Sequence, residues 1–400
     1  MTAVDREIVA RTDRLRAAMR ARRIDAFFLT RNVDVYYFTC SMQNGIAVVP
    51  VEGEPVFWVR RSVTRAEKES AFRTKPLSLR TFERELAEHM PEVFVSGRRP
   101  VLAAAFEALS AQLFMRLQEA LPSAEWTDGS AVVREVRAVK SAAELAALRQ
   151  SAAVADEAFR EGLKSIREGI AEIDVMAAIE AQMRRRGHFG VMRMRAYNHE
   201  IPTGVVAAGE SGAEPTYFDG PVAGCGFHPA MPQGASFRAI RRNEPIMVDI
   251  GCTVEGYVTD QTRTIVVGEL DADLREAYGW AERIMREAEK LLRPGVPWEE
   301  PYLAAMALAE RAGLSDHFMG FGADRVKFLG HGIGLEVDEW PVLAKGFAQP
   351  LEPGMVLTLE PKFVFPGRGA VGIENTYVVT KNGCEKLTLT EDRLVVLPIR

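Results

Sequence analysis

Residues 245–264 read Pro245-Ile-Met-Val-Asp249-Ile-Gly251-Cys-Thr-Val-Glu-Gly256-Tyr-Val-Thr-Asp260-Gln-Thr-Arg-Thr264. Two β-rich runs flank a turn at 253–256, which is the pattern of a hairpin. An acid directly behind Ile-Met-Val sits where a buried strand would otherwise be purely apolar. An unpaired charge there costs on the order of several kcal/mol, so Asp249 needs a partner or a metal. Counting with period two puts Met247 and Asp249 on one face of the first strand. It puts Val258, Asp260, Thr262 and Thr264 on one face of the second. Two carboxylates can therefore project from adjacent strands toward a shared point.

Three later segments extend this pattern. Leu329-Gly-His331-Gly-Ile-Gly334 places an imidazole between glycines that allow close backbone approach. Met355-Val-Leu-Thr-Leu-Glu360-Pro361 is a β run ending in an acid, and Gly372-Ile-Glu374-Asn-Thr-Tyr-Val-Val-Thr380 is a β run with an acid near its start. Each acid alone could be a capped strand end, and Asp260 could simply pair with Arg263. Taken together, four carboxylates and one imidazole in apolar β contexts match what two divalent ions sharing bridging carboxylates require. Such a pair can activate a water and clamp a tetrahedral intermediate. Oxygen-dominated ligation with one nitrogen suits manganese, iron, cobalt or zinc.

Upstream, residues 11–23 have the spacing of an amphipathic helix, with Leu15 and Met19 four apart. Residues 26–30, 35–39 and 47–59 read as β, the last broken at Glu52-Gly53; 83–93 and 111–121 read as helices around an apolar 101–105. Strands alternating with helices predict an α/β unit with a parallel or mixed sheet. A second unit is expected from residue 140, where Ser141-Ala-Ala-Glu144 fits a capping box. Helices are expected to residue 163, over 173–186, 272–292 and 298–312. Loops around short strands are expected over 204–234, and strands over 246–250, 257–267, 356–360 and 371–380. The expected organisation is an α/β N-terminal domain, 1–139, followed by an α+β C-terminal domain, 140–400.

The chain has 400 residues, 47% hydrophobic and 26% charged, enough apolar material for sizeable cores. With 50 Lys+Arg against 55 Asp+Glu the net charge is -5, without the basic excess of a nucleic-acid binder. No apolar run approaches the roughly 18 residues of a membrane span. The charged N-terminus has no apolar signal region. Cys40, Cys225, Cys252 and Cys384 are far apart and form no C-x-x-C pair, as in a reducing compartment. A cytoplasmic protein is expected, without a nucleic-acid or membrane partner.

The strings V-D-I-G at 248–251, G-Y-V-T-D-Q-T-R-T at 256–264, G-H-G-I-G-L-E-V-D-E at 330–339, L-T-L-E-P at 357–361 and G-I-E-N at 372–375 resemble those of the pita-bread metallopeptidase family. That family includes methionine aminopeptidase, aminopeptidase P, prolidase and creatinase. R-x-x-x-L-x-x-x-M at 11–19, I-D-A-F-F-L-T at 24–30 and V-Y-Y-F-T at 35–39 are similar to the N-terminal domain shared by aminopeptidase P, prolidase and creatinase. The resemblance implies a creatinase/prolidase-type α/β domain, serving oligomerisation and the active-site rim, ahead of an α+β pita-bread catalytic domain. It implies one ion on Asp249, Asp260 and Glu374 and a second on Asp260, His331, Glu360 and Glu374. Manganese comes first, with cobalt, zinc or iron also compatible. A metal-bridging hydroxide would attack the scissile carbonyl with Glu360 as proton shuttle. A homodimer is implied because relatives with this N-terminal domain commonly self-associate.

The departures from the family pattern concern substrate contacts. The second His of L-x-V-H-E is Asp338 here, the upstream His falls near Met231 or Pro232, and the Arg two residues before the last Glu is Gly372. His228 is a candidate stand-in for the upstream His, and the segment from Arg193 to His199 is a candidate for substrate contacts or for a structural anchor. An extra acid at 338 suits a cationic or free-amine substrate. The resemblance thus implies an Xaa-Pro aminopeptidase or dipeptidase acting on a peptide or small amide. The alternatives are a creatinase-like small-molecule C–N hydrolase or lyase, and a metal-bound non-catalytic binding protein.

Overall fold

The computed structural model describes residues 3–94 and 97–399. The chain divides into two units, Met1–Arg137 and Ala138–Arg400. In the first, six strands form one mixed sheet in the order Arg73–Pro76, Val56–Val59, Gly45–Pro50, Ala26–Leu29, Val101–Ala104, Glu125–Asp128. Ala26–Leu29 runs antiparallel to Gly45–Pro50 and parallel to Val101–Ala104. Its four side chains are all buried, so the strand reads as a continuous apolar run. The helix Ala3–Ala21 buries Leu15 and Met19 completely.

One expected strand, 35–39, is a helix instead: Asn32–Thr39. Val33, Val35, Tyr37 and Phe38 are buried on several sides of it, so β-rich composition here records burial without period-two alternation. Buried Asp34 accepts from Arg137 at 2.7 Å, and Arg11 donates to the Tyr37 carbonyl at 2.7 Å. These contacts hold the turn in place.

In the second unit, Ser141 caps the helix Ala142–Ser165 and forms the full capping box with Glu144. That helix and Glu172–Arg185 pack on a four-stranded sheet in the order Val395–Leu397, Tyr257–Val267, Ile246–Val254, Gly204–Ala208. Buried Glu172 ties the layer together, accepting from Ala208 N–H, Ser236 N–H and the hydroxyls of Ser211 and Ser236.

A second sheet is ordered Val337–Ala344, Phe328–Ile333, Val356–Leu359, Asn375–Val379, Cys384–Lys386. The helices Ala272–Leu291 and Glu300–Arg311 share its core. The expected single run over 371–380 is two strands. Gly369–Gly372 pairs with Lys362–Phe365, and Asn375–Val379 pairs with Val356–Leu359. Glu374 sits in the crossing between them. Among the described residues no helix is long and apolar enough to cross a membrane.

Candidate metal centre

The hairpin forms, with Asp249 opposite Thr262 and Asp260 opposite Gly251. Its second strand joins the other sheet through side chains on the site face. Thr262 Oγ1 donates to Glu374 Oε2 at 2.7 Å, and Thr264 Oγ1 donates to the Gly372 carbonyl at 2.8 Å. The Thr376 hydroxyl donates to the Asp260 carbonyl at 2.9 Å. Arg263 does not pair with Asp260. Fully buried, it donates to the Glu374 carbonyl at 2.7 Å and pairs with Asp392 at 3.0 Å, bracing the crossing from behind.

His331 is held by the glycines around it. A Cβ at Gly330 would meet the Thr358 carbonyl oxygen at 2.0 Å, and one at Gly332 would meet that of Trp340 at 2.2 Å. Close strand approach, which only glycine permits, therefore delivers the imidazole to the site. Its Nδ1 lies 3.1 Å from the Gly332 carbonyl and 3.5 Å from Asp338 Oδ1. Its Nε2 lies 3.8 Å from Glu360 Oε1. Glu360 is fixed at the end of its strand by a backbone bond to the Leu329 carbonyl, 3.0 Å.

All five expected ligands line one cleft, together with Asp338 and Gln233. Asp260, His331 and Glu374 each present a ligand atom, with all three atoms within 4.8 Å of one another. Two oxygens and a nitrogen so arranged fit a divalent ion. Among the described residues no second group of this kind is found, and a lysine stands between the remaining two acids. Lys362 Nζ lies 2.9 Å from Asp249 Oδ2, 3.0 Å from Glu360 Oε2 and 3.1 Å from Glu374 Oε2. The sequence reading passed over this residue. Its signal was Glu360-Pro361-Lys362, which puts an acid and a base two apart on one face of an extended chain.

Charge and burial shift the protonation of Asp249, Asp260, His331, Glu360 and Lys362. Burial raises the Asp249 carboxyl against the pull of Lys362. Asp260 lies well above its ordinary value through burial and then the nearby Glu374 and Asp249. Burial likewise raises Glu360, opposed by Lys362 and His331. For His331 burial acts downward, but Asp338, Glu360 and Glu374 outweigh it and the imidazole is raised. Burial also acts downward on Lys362, yet Asp249, Glu360 and Glu374 hold it well above its ordinary value, as a cation.

Two other candidates are placed elsewhere. His228 is exposed, and its Nδ1 accepts from Ala230 N–H at 3.1 Å to close a surface turn; it does not line the cleft. In that loop Gln233 lines the cleft, as do residues 218–223, and the Gln233 Nε2 donates to the Glu200 carbonyl at 2.6 Å. In the segment 193–199, Arg195 is buried against Glu336 at 3.5 Å, and Val337 N–H donates to the Arg193 carbonyl at 2.8 Å.

Comparison with known proteins agrees with this geometry. Residues 146–381 match the model of metallopeptidase family M24, and residues 11–139 match the creatinase/prolidase N-terminal domain. The chain is 28% identical to an Xaa-Pro dipeptidase of Pyrococcus furiosus over 96% of its own length and 99% of the relative's. It is 30% identical to a probable dipeptidase PepE of Mycobacterium bovis over 99% and 98%. The structure of dipeptidase PepE from Mycobacterium ulcerans superposes with a TM-score of 0.82 at 27% identity, covering 99% of each chain. That of the prolidase from Pyrococcus horikoshii superposes with a TM-score of 0.80 at 25% identity, covering 96% of this chain and all of the other. With its pita-bread domain behind a creatinase/prolidase-type N-terminal domain, the chain belongs to metallopeptidase family M24 and is a hydrolase of that family.

Proposed function

We propose that this protein hydrolyses the amide bond of a dipeptide-sized substrate of the Xaa-Pro type. The observation that carries the reading is the convergence of Asp249, Asp260, His331, Glu360 and Glu374 on one cleft, in a chain whose full-length relatives include Xaa-Pro dipeptidases. The cavity in that cleft is about 60 Å³. That suits a small substrate better than a long peptide.

Membership of a metallopeptidase family implies divalent metal ions, and Asp260, His331 and Glu374 are the residues that would hold one here. When bound, such an ion polarises a carbonyl oxygen and acidifies water. The chain's own residues supply the rest. Glu360 keeps one oxygen on Lys362 and turns the other toward His331. With its carboxyl raised by burial, Glu360 can accept a proton from the attacking water at Oε1 and return it to the leaving amine, as a base and then an acid. Asp338 faces the same cleft with a negative charge that attracts a free amino group. The attack by a hydroxide bridging two ions, expected from the family resemblance, is not part of this reading. Lys362 stands among the carboxylates that a second ion would need.

Asp338 and Gly372, where Xaa-Pro peptidases are expected to carry His and Arg, favour a second reading, a small non-peptide amide. A panel of Xaa-Pro dipeptides, Xaa-Pro-Xaa tripeptides and small cyclic amides, assayed with added manganese and with chelator, tests both. Dipeptide cleavage that chelation abolishes supports the first reading. Cleavage of the cyclic amides alone moves the function to the second.

A further inference from the structure

Lys362 carries an inference that deepens the hydrolase reading and rests on it for the location of the centre. Its side chain is about 2% exposed and its ammonium makes three bonds, one each to Asp249, Glu360 and Glu374. An ammonium has three N–H donors and no acceptor. All three donors are spent on carboxylates, so Lys362 is placed neither as a base nor as a nucleophile. What it supplies is a fixed positive charge, deep in a cluster of acids, where burial without a counter-charge is costly.

Its position is that of an ion. Asp249 and Glu374 are two of the three carboxylates expected to share the first ion, and Glu360 belongs to the set expected for the second. The backbone is shaped for this side chain. Lys362 lies directly opposite Gly372 in the antiparallel pair, and a Cβ at 372 would meet Lys362 Cγ at 2.7 Å and the Pro361 carbonyl oxygen at 2.6 Å. The family resemblance expects an arginine at 372. In this chain that position is emptied to a glycine, and a cation stands across the ladder at 362.

We propose that the Lys362 ammonium replaces one ion of the pair, so that the centre holds a single divalent ion between Asp260, His331 and Glu374. Asp249 is then a lysine partner and not a metal ligand. Lys362 is a positioning residue: it draws Asp249 away from the ion and aims the free oxygen of Glu360 at His331.

The test is metal stoichiometry, read independently of activity. The full-length protein is dialysed against manganese, freed of excess, and its metal content measured beside its low-temperature electron paramagnetic resonance spectrum. We expect one manganese per chain with the six-line signal of an isolated ion, and two per chain with an exchange-coupled signal in Lys362→Gly. Two ions in the unaltered protein, none in it, or no gain in a folded Lys362→Gly would each overturn the proposal. Removing the buried cation could prevent folding, so Asp249→Asn provides a second arm. It should keep one ion with affinity changed by less than about 10-fold, below the range in which losing even an outer partner of a ligand is felt. Loss of the ion in Asp249→Asn would overturn the assignment. One ion per chain with no cleavage of Xaa-Pro substrates would overturn the substrate reading and leave the lysine assignment standing; two ions with cleavage would do the reverse.

Discussion

Asp338 has a left-handed backbone, φ 64°, and its carboxylate approaches the Nδ1 side of the His331 ring. A carboxylate there, with the Gly332 carbonyl, fixes the ring and raises the basicity of the opposite nitrogen, the one left for an ion. Asn and His tolerate the left-handed region better than most residues, so both can replace Asp338 with little backbone strain. Asp338→Asn should weaken manganese binding by roughly 10–100-fold. Titration calorimetry measures this, and an unchanged affinity would mean that the Gly332 carbonyl suffices to orient the ring. At saturating manganese, Asp338→His restores the donor expected in Xaa-Pro peptidases, and kcat/KM on Xaa-Pro dipeptides should rise by up to about 10²-fold, the lower end for one transition-state donor. A flat or lower rate would place specificity elsewhere in the cleft. Asp260→Ala should abolish ion binding and activity together, since Asp260 has no substitute in the Asp260, His331, Glu374 set. Retention of the ion in this variant would remove Asp260 from the ligands.

The centre exists because strands approach one another more closely than side chains normally allow, and Gly330 is where that approach is tightest. In Gly330→Ala the Phe328–Ile333 strand must move off Val356–Leu359, because the new Cβ would stand 2.0 Å from the Thr358 oxygen. Overpacking of this kind costs about 1–3 kcal/mol. It also shifts His331 and Glu360, so we expect a measurable fall in the denaturation midpoint with a larger fall in activity. Equal losses would show that the glycine serves stability alone. The elements that position the site were the most legible in the sequence, because each carries a local signature. The 246–254 and 257–267 hairpin has its turn and its period-two face, and the Ser141–Glu144 box marks its helix. What escaped was set by tertiary contact. Residues 35–39 are buried on several sides and wind into a helix, a choice that β-rich composition cannot reveal. Glu374 reads as part of a single strand, whereas it lies where the chain leaves one pairing for another. The consequence of Lys362 depends on Asp249, 113 positions away, so its i, i+2 relation to Glu360 alone does not disclose it.

At the scale of the molecule, the two units carry separate cores and separate electrostatic vulnerabilities. In the first, Asp25 accepts from Arg98 and from Val101 N–H, each at 2.8 Å. Burial pushes its carboxyl up, but these bonds outweigh it and hold it below the ordinary value. A depressed folded value means that the stabilisation is present above the unfolded value, about 3.9, and is lost as pH falls through the folded one. Acid should therefore loosen the Ala26–Leu29 and Val101–Ala104 strands below about pH 4. Asp25→Asn should remove that component of the acid transition, and an identical acid profile would discount the pair. In the second unit, membership of a metallopeptidase family implies divalent ions. An ion that binds only the folded state stabilises it by about 2.7 kcal/mol at a free concentration 100-fold above Kd. Chelation should thus lower hydrogen-exchange protection in Ile246–Val254, Tyr257–Val267 and Asn375–Val379, and leave Ala26–Leu29 and Val101–Ala104 unchanged. The loosening should stop short of unfolding, because Lys362 remains to neutralise Asp249, Glu360 and Glu374 when the ion is gone. A metal centre with only acids at these positions would meet chelation with uncompensated repulsion. Here one of the charges that hold the acids together is part of the chain. Global unfolding on chelation would show that the ammonium does not carry that load.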